Sequence, residues 1–255
     1  MFRPRVIPVL LLHGRGLVKT TKFADRRYIG DPINAVRIFN DLRVDELCFL
    51  DITATLEGRE VSVDLVRNLG DEAYMPFAVG GGIRSLQSIS KLLRAGAEKV
   101  ILNSICEENP RLIEEASREF GSQSIVASID VRRNIFGKYS AFTRSGTRKL
   151  GVSVVEYALQ LQESGAGEIL LTSIDRDGTM SGYDLQVVRS VSEKVQVPVV
   201  CCGGAGSLAD MRQAYLEGRA SALAAASIFV FHGPRKAVLL NYPSTIDLEN
   251  TFNAN

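Results

Sequence analysis

Val79-Gly-Gly-Gly-Ile-Arg-Ser-Leu86 returns later in the chain as Cys201-Cys-Gly-Gly-Ala-Gly-Ser-Leu208. The glycine pairs Gly81-Gly82 and Gly203-Gly204 are 122 residues apart, and so are Ser85-Leu86 and Ser207-Leu208. The same offset carries Glu46-Leu47 onto Glu168-Ile169 and Gly96 onto Gly218. One constant spacing over four separated matches marks an internal duplication. Each half then has an apolar sheet face that it cannot bury alone.

Working outward from the glycine pairs, eight short apolar runs emerge: Val6–Leu12, Glu46–Ile52, Pro76–Val79, Lys99–Asn103, Ser124–Asp130, Glu168–Ile174, Val197–Cys202 and Ser221–Ala226. Most are apolar throughout rather than alternating, as strands buried on both faces of a parallel sheet are. Between them lie stretches of helical period: Pro32–Leu42, Ser85–Leu93, Pro110–Phe120, Val154–Glu163, Asp184–Val195 and Ser207–Glu217. Asp31-Pro32 and Asn109-Pro110 each set a capping side chain before a first-turn proline. Gly96, Gly165 and Gly218 stand where helices should stop. Eight βα units with right-handed crossovers predict an α/β fold, a (βα)8 TIM barrel built from two half barrels; a doubly wound open sheet is the alternative. No linker divides the halves, so residues 1–255 read as one domain. The polar tail from Pro243 to Asn255 is expected to be loosely ordered.

Composition narrows the function. Lys plus Arg number 30 and Asp plus Glu 29, a net charge of +1 that lacks the basic footprint of a nucleic-acid binder. With 45% hydrophobic residues the chain is no disordered tail. The Val6–Leu12 run, broken by Pro8, is too short for a membrane span and has no cleavage site after it. Cys48, Cys106, Cys201 and Cys202 show no CxxC spacing, and His13 and His232 are the only histidines. The reading is a cytoplasmic protein with reduced thiols, no metal, and no nucleic-acid or membrane partner.

In such a barrel, chemistry sits at the carboxyl ends of the strands. There the two glycine turns, Gly81-Gly82 and Gly203-Gly204, run into helices and expose backbone N–H groups to an anion. Asn103-Ser104 and Ser227 end neighbouring strands and add donors. Together they form two phosphate sites for one elongated ligand, unless the glycines only serve tight turns. Asp130 ends one strand and Asp177 follows another, a pair suited to general base and acid work. Asp175 has an evident structural partner in Arg176 and its turn, and Asp51 has supporting status. The long first loop, roughly His13 to Gly30, reads as a lid that brings Lys19 to an anionic substrate. At the opposite ends of the strands, Arg5, Glu46, Lys99 and Glu168 each begin a strand. Their two positive and two negative charges form a ring across the barrel bottom, either a stabilising cluster or a gate on the axis.

These residues together resemble the cyclase subunit of imidazole glycerol phosphate synthase, the HisF family, over about residues 1–230. The likeness is carried by Gly30-Asp-Pro32, Asp45-Glu-Leu47 with Phe49-Leu-Asp-Ile-Thr53, Val79-Gly-Gly-Gly-Ile83, Phe120-Gly-Ser-Gln123 and Gly203-Gly-Ala-Gly206. Most specific is the run Gly165-Ala-Gly-Glu-Ile-Leu-Leu-Thr-Ser-Ile-Asp-Arg-Asp-Gly-Thr179 through Ser181-Gly-Tyr-Asp184. The resemblance implies a two-phosphate ligand, a HisH-like glutaminase partner on the amino-terminal face, and ammonia moving along the barrel axis through a gate at the four-charge ring. It implies lyase chemistry without a metal or organic cofactor: ammonia attacks a ribulose-bearing substrate, and cyclisation with cleavage releases imidazole glycerol phosphate.

The resemblance places one of two catalytic aspartates at Asp130. The other falls on Leu11, within Val9-Leu-Leu-Leu12, and leucine transfers no proton. Ser104 stands where threonine is usual. With Arg3-Pro-Arg-Val-Ile7, Gly16-Leu-Val-Lys-Thr20, Phe229-Val-Phe231 and Asn241-Tyr-Pro243, this pattern is similar to a divergent branch associated with surface-polysaccharide (O-antigen) gene sets. There, barrel and glutaminase supply ammonia to a third protein that makes an acetamidino sugar. The competing readings are a sugar-phosphate isomerase on the same half-barrel plan, which also wants a carboxylate at position 11, and a catalytically silent scaffold or activator for the glutaminase.

Overall fold

The architecture comes from a computed structural model of the chain, which describes residues 3–253. Eight strands form the barrel: β1 (Arg5–His13), β2 (Leu47–Asp51), β3 (Phe77–Gly80), β4 (Lys99–Leu102), β5 (Ile125–Arg133), β6 (Glu168–Ser173), β7 (Val199–Cys202) and β8 (Ala222–Ala225). All eight pair in parallel. β1 bonds to both β8 and β2, and β5 bonds to β6 from Glu168↔Val126 to Ser173↔Val131, which closes the circle. The main helices are α1 (Pro32–Asp41), α2 (Val63–Glu72), α3 (Leu86–Arg94), α4 (Arg111–Phe120), α5 (Val154–Glu163), α6 (Leu185–Ser192), α7 (Leu208–Leu216) and α8 (Thr245–Asn253). The closed circle with alternating helices is the (βα)8 barrel that the buried, non-alternating runs demand; an open sheet is excluded by the β5–β6 ladder.

Side-chain alternation along the strands creates two apolar layers. On β1, Leu10 and Leu12 face the helices and pack in the outer layer with residues such as Phe39 and Phe49. Ile7, Val9 and Leu11 face the axis, where Cys48, Ala78, Ile101, Val126, Leu170, Val200, Ala222 and Ala224 join them. Full burial of a Leu, Ile, Val or Phe side chain contributes roughly 1.5–3 kcal/mol, so both layers hold the closed sheet.

Local chemistry sets the helix ends. The Asp31 side chain accepts from the Asn34 N–H at 2.9 Å, with Pro32 at the first helical position. Ser153 and Ser207 head capping boxes with Glu156 and Asp210. The cap expected at Asn109-Pro110 does not form, because α4 begins at Arg111 with no side-chain cap. A short helix, Ser104–Glu108, ends against it, and the Leu112 N–H donates to the Asn109 carbonyl, at 3.1 Å, rather than to its side chain. α2 has no counterpart among the helical stretches read above, since only Val66 and Leu69 are buried in it.

Three excursions matter for the mouth and base of the barrel. Residues expected to form an open lid loop make an antiparallel hairpin, Gly16–Thr21 with Ala24–Gly30. Lys22 and Phe23, at φ 52° and 64°, form its two-residue turn. Beyond the barrel, β5 continues antiparallel against Tyr139–Thr143. The tail, expected to be loosely ordered, folds as α8. Its polar sequence hides Leu248 and Phe252, one turn apart, and both are buried. Phe252 packs edge-on against Tyr215, ring centroids 5.8 Å apart. Positions 254 and 255 of that tail lie outside the described residues. Among the described residues, no helix is long and apolar enough to cross a membrane.

Candidate active site

A cavity of about 510 Å³ opens at the carboxyl ends of the strands, and all eight strands contribute to its wall. Asp130, on β5, is its central acid. The side chain is buried, and the Asn103 amide donates to its Oδ2 at 3.2 Å. Burial pushes the carboxyl up from 3.8 to about 7; the Asn103 hydrogen bond opposes this, and the negative charge of Asp177 adds to it. An acid that titrates near neutrality both gives and takes a proton with little driving force lost.

Lys19 does not stand on a mobile loop. It lies on the first hairpin strand, 3% exposed, with Nζ 2.8 Å from Asp177 Oδ1. Asp177 Oδ2 accepts from the Thr20 hydroxyl at 2.9 Å and the Phe23 N–H at 3.3 Å. The Lys22 N–H donates to the Asp177 carbonyl at 2.9 Å. Both carboxylate oxygens of Asp177 are thus engaged, and the residue fastens the hairpin over the cavity. The two carboxyls thus sit in different surroundings: Asp130 accepts from one amide, while both oxygens of Asp177 are tied to the hairpin.

The glycine turns both face the cavity, with Gly81, Gly82, Gly203 and Gly204 in its wall. Gly82 has φ +66°, and a Cβ there would sit 2.0 Å from the Arg59 carbonyl oxygen; Gly204 has φ +114°, and its Cβ would sit 2.2 Å from the Gly182 carbonyl oxygen. Only glycine fits either place. Asn103 and Ser104 lie beside the first turn, where the Ser104 hydroxyl accepts from the Arg144 N–H at 3.2 Å. Ser227 lies in the wall at the end of β8; its buried hydroxyl has no hydrogen-bond partner among the described residues.

Leu11 lines the cavity from β1, which stands across the barrel from β5. It is 9% exposed and packs against Val18 across the β1 hairpin. Asp51 is not an open acid. It accepts from the Thr53 and Ala54 N–H groups and is ion-paired with Arg59, a partner that sequence reasoning did not single out. The eight-residue separation of Asp51 and Arg59 has no helical or strand period to reveal it. Asp175, as its structural reading required, has a backbone role, although its partner is the Arg133 N–H, at 2.7 Å. Among the described residues no group of three His, Cys, Asp or Glu side chains is placed to hold a metal ion.

At the other end of the barrel the four charges meet. Arg5 is paired with Glu46 and with Glu168. Lys99 Nζ lies 3.0 Å from Glu46 and 2.8 Å from Glu168. Every member thus touches two of opposite sign, and the circuit is closed across the axis. Between it and the cavity lie the inward apolar side chains, small at Ala78, Ala222 and Ala224.

Fold and site define a (βα)8-barrel protein with a buried carboxyl, Asp130, and two glycine turns at its mouth. The chain belongs to the family described as histidine biosynthesis protein, whose model matches residues 5–233. It is HisF-like. A Pseudomonas aeruginosa protein with the provisional name imidazole glycerol phosphate synthase subunit hisF2 is 47% identical over 249 residues, 98% of this chain and 99% of that protein. One from Leptospira borgpetersenii, provisionally named as the HisF subunit of the same synthase, is 44% identical over 99% of this chain and 100% of its own length. The imidazole glycerol phosphate synthase subunit HisF of Alkaliphilus metalliredigens is 43% identical over 91% of this chain and 92% of its own.

Proposed function

We propose that this chain is a HisF-type synthase subunit of a glutamine amidotransferase complex, in which a glutaminase partner feeds ammonia through the barrel to a phosphorylated substrate at the mouth. The Arg5–Glu46–Lys99–Glu168 ring stands at the entry, and the inward layer above it includes the small side chains Ala78, Ala222 and Ala224. The glycine turns, with Asn103, Ser104 and Ser227, hold the two phosphates.

At the mouth, protonated Asp130 gives its proton to a carbonyl oxygen of the substrate as the ammonia lone pair attacks the carbon. The carboxylate so formed then takes a proton from the added nitrogen, which restores it. The Lys19 ammonium, held by Asp177, stabilises negative charge beside this centre.

The observation that carries the finer reading is Leu11. Cyclisation of the histidine-pathway type draws on a second acid from β1, and here an apolar side chain faces the cavity instead. Loss of one proton-transfer partner costs about 10²–10⁴ in rate. The divergent role therefore fits better: ammonia passed on toward an acetamidino sugar of surface polysaccharide, with a third protein as the acceptor. An isomerase reading is disfavoured by the same leucine.

The test is direct. The purified chain is assayed for imidazole glycerol phosphate formation with ammonium salts, and with glutamine plus a HisH-like glutaminase. A stable complex is expected, with ammonium-driven cyclisation about 10² below a working cyclase or lower. A rate equal to that of a working cyclase overturns the divergent role; no complex with the glutaminase overturns the amidotransferase reading.

A further inference from the structure

The two ends of the cavity are not charged alike, although they descend from one repeat. Four cationic side chains line it: Lys19, Arg26, Arg84 and Arg144. Lys19 is paired with Asp177, Arg144 with Glu108 at 2.6 Å, and Arg26 approaches the His13 ring at 3.2 Å. Arg84 alone has neither a hydrogen bond nor an ion pair to any described residue. It is exposed, and only Ile83 separates it from the Gly81-Gly82 turn.

The repeat makes the contrast sharp. At the offset of 122 residues, Arg84 maps onto Gly206. No cation stands there, and a Cβ would meet the Met180 carbonyl oxygen at 2.4 Å. The Gly206 N–H is already spent on Asp210 Oδ2, at 2.9 Å. The second turn therefore has a carboxylate behind it, and the arginine packed against Gly204, Arg176, is spent on the Ser181 carbonyl and hydroxyl, while the first turn has an unspent guanidinium. The Asp51 carboxylate near the first turn is neutralised by Arg59.

We infer that Arg84 sets which way round the ligand lies: its guanidinium forks onto the anion at Gly81-Gly82, so that this end takes the more highly charged group, a phosphomonoester dianion or a diphosphate. The Gly203-Gly204 end, with the Ser227 hydroxyl, takes the less charged one. Guanidinium binds such oxygens bidentately, which adds direction as well as attraction. This rests on the two-phosphate reading above.

The experiment uses the full chain, with inorganic phosphate and pyrophosphate as probes, followed by calorimetry and by phosphorus NMR. Two unequal binding steps are expected, with pyrophosphate preferring the tighter. Arg84→Gln should weaken the tighter step about tenfold and leave the weaker one unchanged. Arg84→Lys should recover part of the loss, and Ser227→Ala should weaken only the other step. An Arg84→Gln protein with an unchanged melting temperature whose two steps both stay within about twofold, or both weaken alike, overturns the role of Arg84 while leaving the two phosphate sites standing. Wild-type protein that binds neither probe overturns the two-phosphate reading itself, and this inference with it.

Discussion

The two ends of this barrel solve opposite problems. At the amino-terminal end Arg5, Glu46, Lys99 and Glu168 satisfy one another completely. At the carboxyl end Asp130 is buried with the Asn103 amide as its donor, and among the described residues the Ser227 hydroxyl has no hydrogen-bond partner and Arg84, which lines the cavity, has no hydrogen bond or ion pair. Side chains that satisfy each other stabilise a fold and ask nothing of a ligand. Those left unsatisfied weaken the apo protein and are matched to what binds. The lesson is that charge alone does not mark a site: the ring has four charges in closed pairs, while the mouth has more, most of them paired, and leaves Asp130 and Arg84 without an ion-pair partner among the described residues.

The sharpest way to break that contrast is Asp130→Asn. It should lower any ammonia-dependent turnover by about 10²–10⁴ without lowering the melting temperature, as steady-state kinetics and calorimetry would show. If activity survives intact, the mouth is a scaffold and its open acid an accident.

Leu11→Asp comes next. A carboxyl opposite Asp130 should raise imidazole glycerol phosphate formation by about 10². The same change buries a carboxyl against Val18, so thermal stability should fall by about 1–3 kcal/mol. Loss of stability with no gain in rate would show that more than one group separates this mouth from a cyclase.

At the ring, Glu46→Ala strands Arg5 and Lys99 on one side. Lys99 and Glu46 are largely shielded, so the cost should be about 1–3 kcal/mol in chemical denaturation. In the complex, glutamine-driven activity should fall more than ammonium-driven activity. Equal falls would make the ring structural only.

The contrast can also be read through pH. The Asp130 carboxyl is raised to about 7 when folded and is near its ordinary value when unfolded. The folded protein therefore holds a proton that the unfolded chain releases. Its contribution is complete below about pH 4 and is lost as pH rises through about 7, so stability should decline across that window. Asp130→Asn should remove this slope, and a denaturation series from pH 4 to 8 reads it. Turnover should show an inflection near 7 for the same reason.

Much of this was legible in the chain itself. Strands such as Ile169–Leu171 and Val199–Val200 are apolar at successive positions because both faces are buried, and the end of the Ser124–Asp130 run named Asp130 directly. The glycine turns were legible because only glycine tolerates the carbonyl oxygens beside Gly82 and Gly204. The first hairpin was not legible, because its polar outer strand, Ala24–Gly30, looks like any exposed loop. The tail was misread for a similar reason: Leu248 and Phe252 are two apolar residues in a polar stretch, and only α7 explains them.

By itself the sequence determined the barrel, its twofold repeat, the strand ends where chemistry gathers and the missing acid at Leu11, since periodicity and residue type are local properties. Tertiary structure alone decided which charges neutralise one another. Asp177 and Lys19 are 158 positions apart and Arg5 and Glu168 are 163, yet each pair is in contact. Whether a carboxylate is engaged on both oxygens, as Asp177 is, or is buried beside a single amide donor, as Asp130 is, depends on those through-space partners, which are not written in the order of the chain.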